Sequence, residues 1–124
     1  MFSEDKMANP NIVNVTSIYG NTALELLSTA TVNVITNSAG SGSVDKINNI
    51  LLTNRANTTI SANVSINRND TIYLIGSSVS IPANSVLVLL AKDSSIYMIE
   101  GDVLQANTST NDAITLIASY ERIS

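Results

Sequence analysis

The residues best suited to chemistry are three carboxylates close together in the chain, Asp93, Glu100 and Asp102. A hairpin could bring such side chains together, and paired carboxylates bind Ca²⁺ or act as general acid and general base. Each of them, however, stands in a short polar segment, "KDSS" or "EGD", of the kind that forms turns. Aspartate is favoured in turns because its side chain hydrogen-bonds the nearby backbone. We therefore interpret the three as turn residues and expect no carboxylate site.

Other catalytic and metal-binding groups are missing from the sequence. The chain contains no cysteine and no histidine, which excludes a Ser-His-Asp or Cys-His arrangement and thiolate or imidazole metal ligands. We do not expect a serine to be activated by Lys6, Lys46 or Lys92, and no glycine-rich loop between a strand and a helix is present to bind a phosphate. The sequence predicts a protein that is not an enzyme and has no cofactor or metal ion.

The composition also argues against nucleic acid and membranes as partners. Six basic and ten acidic residues give a net charge of −4, and the basic residues form no cluster that could neutralise phosphates. No apolar run approaches the roughly 18 to 20 residues of a membrane span, and the first residues lack the apolar stretch of a signal peptide. We expect synthesis and work in a cytosol-like compartment.

Strand-like segments follow one another along almost the whole chain of 124 residues, a length that suits a single domain. β-Branched residues and closely spaced turn signals predict an antiparallel sandwich or barrel and not βαβ units. Helical periodicity is nearly absent, although residues 22–28 could form one or two turns. Gly101 is expected at positive φ in a tight hairpin. The predicted segments are 12–19, 22–28, 30–36, 44–54, 58–67, 71–75, 78–81, 86–91, 95–99, 102–107 and 113–121.

The segments differ in how many of their faces are apolar. Residues 60–66 and 114–120 alternate between apolar and other side chains, so one face of each should lie on a core. By contrast, "NNILLTN" and "SVLVLLAK" are apolar on both faces. Such a pattern is expected of central strands in a sandwich, or of strands covered by a neighbouring subunit.

The polar face of residues 60–66 lacks the charge that usually keeps an exposed strand soluble. It consists of Ser61, Asn63 and Ser65 in a chain with only 13% charged residues. Neutral hydroxyls and amides lose water at a lower cost than charges and can hydrogen-bond across an interface. Ser61, Asn63 and Ser65 therefore form either a protein interface or an uncharged surface that faces solvent.

A carbohydrate-binding β-sandwich module is an alternative from another functional class. Such modules usually stack sugars on exposed aromatic rings, but this chain has no tryptophan and four tyrosines. Tyr120 falls on the apolar face of its strand and is expected in the core. The sequence assigns Tyr73 and Tyr97 to neither the core nor the surface.

Several stretches of the chain resemble a known group of proteins. They are "NPNIVNVTSIYG", "DKINNILLTN", "IPANSVLVLLAKDSSIYMIEGDVLQA" and "ASYERIS". These stretches resemble small β-rich virion structural proteins of tailed phages, in particular capsid-decoration-like proteins of phages that infect marine cyanobacteria and similar bacteria. The likeness extends over most of the chain from about Asn9, and the residues before Met7 depart from it.

The resemblance implies a jelly-roll-like antiparallel β-sandwich at residues 10–124, preceded by an N-terminal arm or extension at residues 1–9. It implies a capsid decoration or cement protein that stabilises the head by binding across capsid subunits, with a tail, neck or fibre component as the alternative. The implied partners are the major capsid protein or other virion proteins, and further copies of the chain, for which a trimer is one closed arrangement. The chain would then reside in the virion, and in the host cytoplasm during assembly.

Overall fold

The computed structural model describes residues 17–91 and 93–124, which form strands and connecting turns without a helix. Nine strands follow one another in the described part of the chain. They are β1 (Ile18–Leu26), β2 (Val32–Thr36), β3 (Val44–Asn54), β4 (Ile60–Arg68), β5 (Thr71–Ile81), β6 (Val86–Leu90), β7 (Ile96–Met98), β8 (Val103–Thr108) and β9 (Ile114–Ile123).

The strands form two antiparallel sheets that pack face to face. Sheet I has the order β1-β9-β3-β6, with β7 also paired to β3, and sheet II has the order β2-β8-β4-β5. Since β6 pairs with residues 50–53 of β3 and β7 with residues 45–47, β6 and β7 form two halves of one edge strand. If β6 and β7 are counted as a single sixth strand, β8 and β9 become the seventh and eighth strands. The two sheet orders are then 1-8-3-6 and 2-7-4-5, which are those of the two four-stranded sheets of a jelly roll. The predicted fold class, a single-domain, jelly-roll-like antiparallel β-sandwich, is confirmed.

The core lies between the sheets and consists of the inward-facing side chains of both. Successive residues of a strand point to opposite faces, so alternating segments bury every second side chain. This alternation, predicted for residues 60–66 and 114–120, is confirmed, and Tyr120 packs against the core as expected. The buried apolar residues of the two segments are Ile60, Ala62, Val64, Ile114, Leu116 and Ala118.

Two carboxylates are fully buried, and each accepts two hydrogen bonds from one arginine. Arg68 donates to the oxygens of Asp102 at 2.8 and 2.6 Å, and Arg122 donates to those of Asp45 at 2.7 and 2.8 Å. These hydrogen bonds raise the pKa of both guanidinium groups above the ordinary arginine value. An arginine whose pKa is raised by folding contributes stability at every pH below its ordinary pKa. That stability is lost only as the pH rises through the folded-state pKa, so both arginines stay charged throughout neutral pH.

Two buried asparagines fasten the connections between strands. Asn54 Nδ2 donates to the backbone carbonyls of Thr58 and Ile81, both at 2.9 Å. Asn37 Nδ2 donates to the carbonyl of Ser43 at 3.0 Å. Because a buried amide without partners is costly, these bonds fix where the loops that follow β2 and β3 must run.

Three local predictions are wrong. Residues 22–28 form no helical turn, because residues 18–26 are one strand paired along its length with β9. Residues 71–75 and 78–81 belong to one strand, β5, which continues past an irregularity in its pairing with β4. Gly101 has the expected positive φ, 90°, but it connects β7 in sheet I to β8 in sheet II and is not in a hairpin.

Two predictions concern residues that the structure does not describe. The predicted arm at residues 1–9 and most of the predicted strand at residues 12–19 lie outside the described residues. Within the predicted sandwich domain at residues 10–124, the description begins at Ser17.

Candidate functional site

The three carboxylates with the best prospects for chemistry do not form a site. Asp102 is fully buried, and Arg68 bonds both of its oxygens. Glu100 accepts a hydrogen bond from the backbone N–H of Gly42, and Asp93 is exposed after β6. Within residues 17–91 and 93–124, no group of three Asp, Glu, His or Cys side chains is placed to hold a metal ion.

Ser43 and Lys46 have the three-residue spacing of a serine–lysine nucleophile pair, but the fold separates their side chains. Residues three apart in an extended chain point to opposite faces. The Ser43 hydroxyl is hydrogen-bonded to the Ser124 hydroxyl at 2.8 Å, and Ser43 is buried. Lys46 points away from the core, as its half-buried state between the fully buried Asp45 and Ile47 shows. The lysine is therefore not placed to activate the serine.

The predicted interface residues Ser61, Asn63 and Ser65 lie on β4 in the middle of sheet II, on or near its outer face. Ser61 and Asn63 are half-buried, and Ser65 is buried. Their position on the side of β4 opposite to Ala62 and Val64 agrees with the predicted alternation. Their role in an interface stays a prediction.

The side chain of Asn63 belongs to a chain of hydrogen bonds that crosses sheet II, which we call the amide ladder. Asn63 Oδ1 accepts from the backbone N–H of Ser78 at 2.7 Å, and Asn63 Nδ2 donates to Asn107 Oδ1 at 3.0 Å. Asn107 Nδ2 in turn donates to the Thr31 hydroxyl at 3.2 Å. These bonds between neighbouring strands satisfy the hydrogen-bonding groups of uncharged side chains within the molecule. They explain why this face is polar and uncharged, whether or not a partner covers it.

A shallow cleft of about 220 Å³ lies over the amide ladder. Its volume is below the ~300–1,000 Å³ of typical small-molecule pockets. Its lining combines amides and hydroxyls with three apolar side chains and includes no charged group. The lining residues are Thr31, Asn63, Ser65, Ile72, Leu74, Gln105, Ala106 and Asn107.

The larger exposed apolar surface lies on the opposite side of the molecule, on the outer face of sheet I. Among residues 17–91 and 93–124, eleven large apolar side chains are substantially exposed, and six of them are on this face. The six are Ile18, Leu24, Leu26, Val86, Val88 and Tyr97. We use the name sheet I face for the outward-pointing residues 18, 20, 22, 24 and 26 of β1, 115, 117, 119, 121 and 123 of β9, 44, 46, 49, 51 and 53 of β3, 86 and 88 of β6, and 97 of β7.

The strand register aligns the side chains of the sheet I face in rows that cross all its strands. One row is entirely apolar and runs Leu24, Ile117, Leu51, Val88. The next row runs Leu26, Thr115, Thr53, Val86. Leu24 and Val88, at the two ends of the apolar row, are 68% and 56% exposed. Monomeric proteins rarely leave a contiguous apolar area of this width in water, so the sheet I face has the character of a contact surface.

The sheet I face is almost free of charge. Its two charged residues, Lys46 and Glu121, have opposite signs and are paired in register on β3 and β9. The face therefore has no net charge, although the whole chain carries −4. A partner on this face would lose few charge–water contacts on binding.

A second exposed apolar surface lies on sheet II. Ile72, Tyr73 and Leu74 are consecutive residues of β5, and all three are more than half exposed. β5 is an edge strand of its sheet, and an exposed apolar edge is a template for contact with another chain. Ile72 and Leu74 point to the outer face of sheet II, where they are in register with Asn67 and Ser65, and Tyr73 points to the other side of the edge strand. We call this exposed edge segment, residues 72–74, the β5 patch. Tyr73 and Tyr97, which the sequence left unassigned, are thus both surface residues on separate apolar surfaces.

Only part of the signal for these surfaces is present in the sequence. The two-sided apolar patterns of "NNILLTN" and "SVLVLLAK" fit a central strand for β3, but β6 is an edge strand whose outer side chains are exposed. Local sequence patterns do not identify Leu24 and Ile117 as neighbours on one surface, because a row across four strands depends on the strand register. The β5 patch was visible in the sequence only as a short apolar run, "IYLI".

The chain was compared with models of known protein families and with curated proteins, and neither comparison gave a significant match. Among the residues that the structure describes, no helix has the length and hydropathy needed to cross a membrane.

Proposed function

We propose that the chain is a structural virion protein of a tailed phage that decorates the capsid and holds neighbouring subunits together. The observation that carries this proposal is the presence of two exposed apolar surfaces on opposite sheets of one rigid sandwich, the sheet I face and the β5 patch. A protein that joins two neighbours needs two separate contact surfaces, whereas a simple binding domain needs one.

The physical basis of such a role is the area that the molecule can cover. A standard stable interface buries about 1,600 Å² in total, and apolar surfaces contribute to it without any chemical step. Each added copy that spans two subunits raises the barrier to their separation. The major capsid protein, and other copies of this chain, are the partners that the proposal assigns.

The assignment to phages depends on the resemblance of "IPANSVLVLLAKDSSIYMIEGDVLQA" and the other stretches to virion proteins. The jelly roll is compatible with it, because the fold is common in viral coat proteins, although the same fold also serves lectins. A tail, neck or fibre component would use the same kind of contact surface. Location in the particle separates these two virion roles.

Binding to heads tests the proposal directly. The purified chain should co-sediment in saturable amounts with expanded heads of the phage that encodes it. The substitution Leu74→Lys places a charge in the β5 patch, where the side chain is 58% exposed, and should weaken head binding by about tenfold or more. Thr59→Lys adds the same charge at an exposed turn outside both surfaces and serves as the matched control.

Two results would count against this function. Heads that bind none of the chain would remove the decoration role. Equal head binding by wild-type protein and Leu74→Lys would show that the β5 patch is not the surface in contact with the shell.

A carbohydrate-binding module is the second candidate, and the cleft over the amide ladder is the observation that favours it. Amides and hydroxyls such as those of Gln105 and Asn107 can hydrogen-bond sugar hydroxyls, and Ile72 and Leu74 could contact the apolar face of a sugar ring. Retention on a glycan array, lost on Gln105→Ala and accompanied by no head binding, would support this function over decoration.

A further inference from the structure

We infer that the sheet I face binds a second copy of the chain, so that two sandwiches pack sheet I against sheet I. The two copies are related by a two-fold axis that runs parallel to the strands, between β3 and β9. This inference rests on the proposed function, because it assigns a partner to one of the two contact surfaces. It leaves the β5 patch, on the opposite sheet, free to contact the shell.

The size of the sheet I face is sufficient for a stable pair. Strands are about 4.8 Å apart and rise about 3.4 Å per residue, so four strands of nine residues make a face of about 19 by 30 Å. Two such faces bury at least about 1,100 Å² in total. This area exceeds the roughly 1,000 Å² expected of a specific interface.

The charges of the face favour another copy of this chain as the partner. Two molecules that each carry −4 repel each other at most orientations. The sheet I face has no net charge, because Lys46 and Glu121 balance each other. About the proposed axis β9 faces β3 of the second copy, so each Glu121 lies opposite a Lys46.

The apolar rows are complementary to themselves about the same axis. Sheets that pack face to face align their strands within about 30°, which keeps each row opposite its own equivalent. β1 then faces β6 and β7 of the second copy. Leu24 lies opposite Val88, and Ile117 lies opposite Leu51, so the entirely apolar row covers itself.

The row that contains the charges is also complementary in shape. It runs Gly20, Glu121, Lys46, Tyr97, with glycine at one end and an exposed tyrosine at the other. The two-fold axis brings Tyr97 of each copy over Gly20 of the other. Within one copy, a Cβ placed at Gly20 would meet no atom within 4 Å. The space above Gly20 is therefore open to the ring of a second molecule.

Sedimentation analysis of the full chain over a concentration series tests this inference. We expect a species of twice 13.1 kDa at high concentration. Leu24→Lys and Val88→Lys, which place charges opposite apolar side chains, should each weaken the association by at least about tenfold. Leu74→Lys makes the same change on the β5 patch, where the wild-type side chain is also more than half exposed, and should leave the association unchanged.

A pair of compensating substitutions tests the axis itself and does not depend on the stability of any one variant. Gly20→Tyr should abolish pairing by colliding with Tyr97 of the second copy, whereas in the single molecule a Cβ at position 20 meets no atom within 4 Å. Gly20→Tyr combined with Tyr97→Ala should restore pairing. Circular dichroism of each variant checks that the β-sandwich is retained.

The outcomes are separable from those of the head-binding experiment. A chain that is monomeric at all concentrations, forms a species of three times 13.1 kDa, or is dissociated equally by Leu74→Lys overturns the inference. If such a chain still binds heads, the proposed function stands and only the partner of the sheet I face is wrong. If the chain pairs as expected but binds no heads, the inference stands and the proposed function fails.

Discussion

At the scale of single residues, the charged groups of this protein serve the fold. The sequence presents Asp102 as one of three turn carboxylates. The structure shows a turn hydrogen bond, in which the backbone N–H of Ile99 donates to Asp102 Oδ2 at 2.9 Å, and it adds that Asp102 is completely buried and ion-paired with Arg68. Neither this pair nor Asp45 with Arg122 was predicted, because the partners are separated by 34 and 77 positions in the chain. Nothing in local sequence indicates which arginine meets which aspartate.

Replacing Arg68 and replacing Asp102 should destabilise the protein by different amounts. Removing one partner of a buried ion pair costs about 3–5 kcal/mol when the remaining charge stays buried. Arg68→Met leaves the fully buried Asp102 without its cation and should lower the free energy of unfolding by about 3 kcal/mol. Asp102→Asn leaves Arg68, whose side chain is 42% exposed, able to contact water, and should cost about half as much.

Urea denaturation of the two variants measures these changes. Asp93→Asn is the control, because an exposed turn residue should change stability by less than about 0.5 kcal/mol. An Asp102→Asn variant as stable as Asp93→Asn, or a larger loss for Asp102→Asn than for Arg68→Met, would contradict the proposed role of the buried pair.

At the scale of strands, local patterns predicted where strands lie better than how they pair. The range 44–54 matches β3 at both ends, because it is bounded by a Gly/Ser loop and by Asn54 at a turn. Register was not predictable, since irregular pairing at residues 33–35, 47–49, 50–51 and 62–65 shifts one strand against the next. The rows of the sheet I face depend on the two shifts in β3, at residues 47–49 and 50–51, so no local pattern could reveal them.

The hairpin between β4 and β5 shows how a turn sets such a register. Asn69 and Asp70 form its two-residue loop with φ of 53° and 64°, and two positive values are typical of a type I′ turn. A β-branched residue at positive φ is strained by about 1–2 kcal/mol. Asp70→Val should therefore lower the free energy of unfolding by about that amount, whereas Asp70→Gly should leave it unchanged or raise it.

Equilibrium denaturation of both Asp70 variants is the measurement, with thermal unfolding as a second readout. Equal stability for the valine and glycine variants would show that the positive φ at Asp70 is not required for the turn.

At the scale of the whole molecule, the fold class followed from the sequence but the contact surfaces did not. Short strands separated by regular turns predicted a sandwich, and the two sheet orders give the expected jelly roll. From the sequence, Ser61, Asn63 and Ser65 form either a protein interface or an uncharged surface that faces solvent, because their strand lacks charge. In the structure, the amide ladder explains within the molecule why this face is uncharged. The larger exposed apolar surface of the described residues lies on the other sheet.

The two apolar surfaces on opposite sheets give the molecule its proposed mode of action. One copy can touch another through the sheet I face and still present the β5 patch to a third molecule. The contacts would stabilise a shell through area alone, without a reaction. In this mode of action the protein works by contact at two opposite surfaces.

A cryo-electron microscopy map of intact particles of the encoding phage would show both surfaces at once. We expect a fixed number of copies on the shell, with the side chains of both Leu24 and Leu74 covered by neighbouring protein. Infectious particles that contain no copy of the chain, or bound copies in which both of these surfaces face solvent, would contradict it.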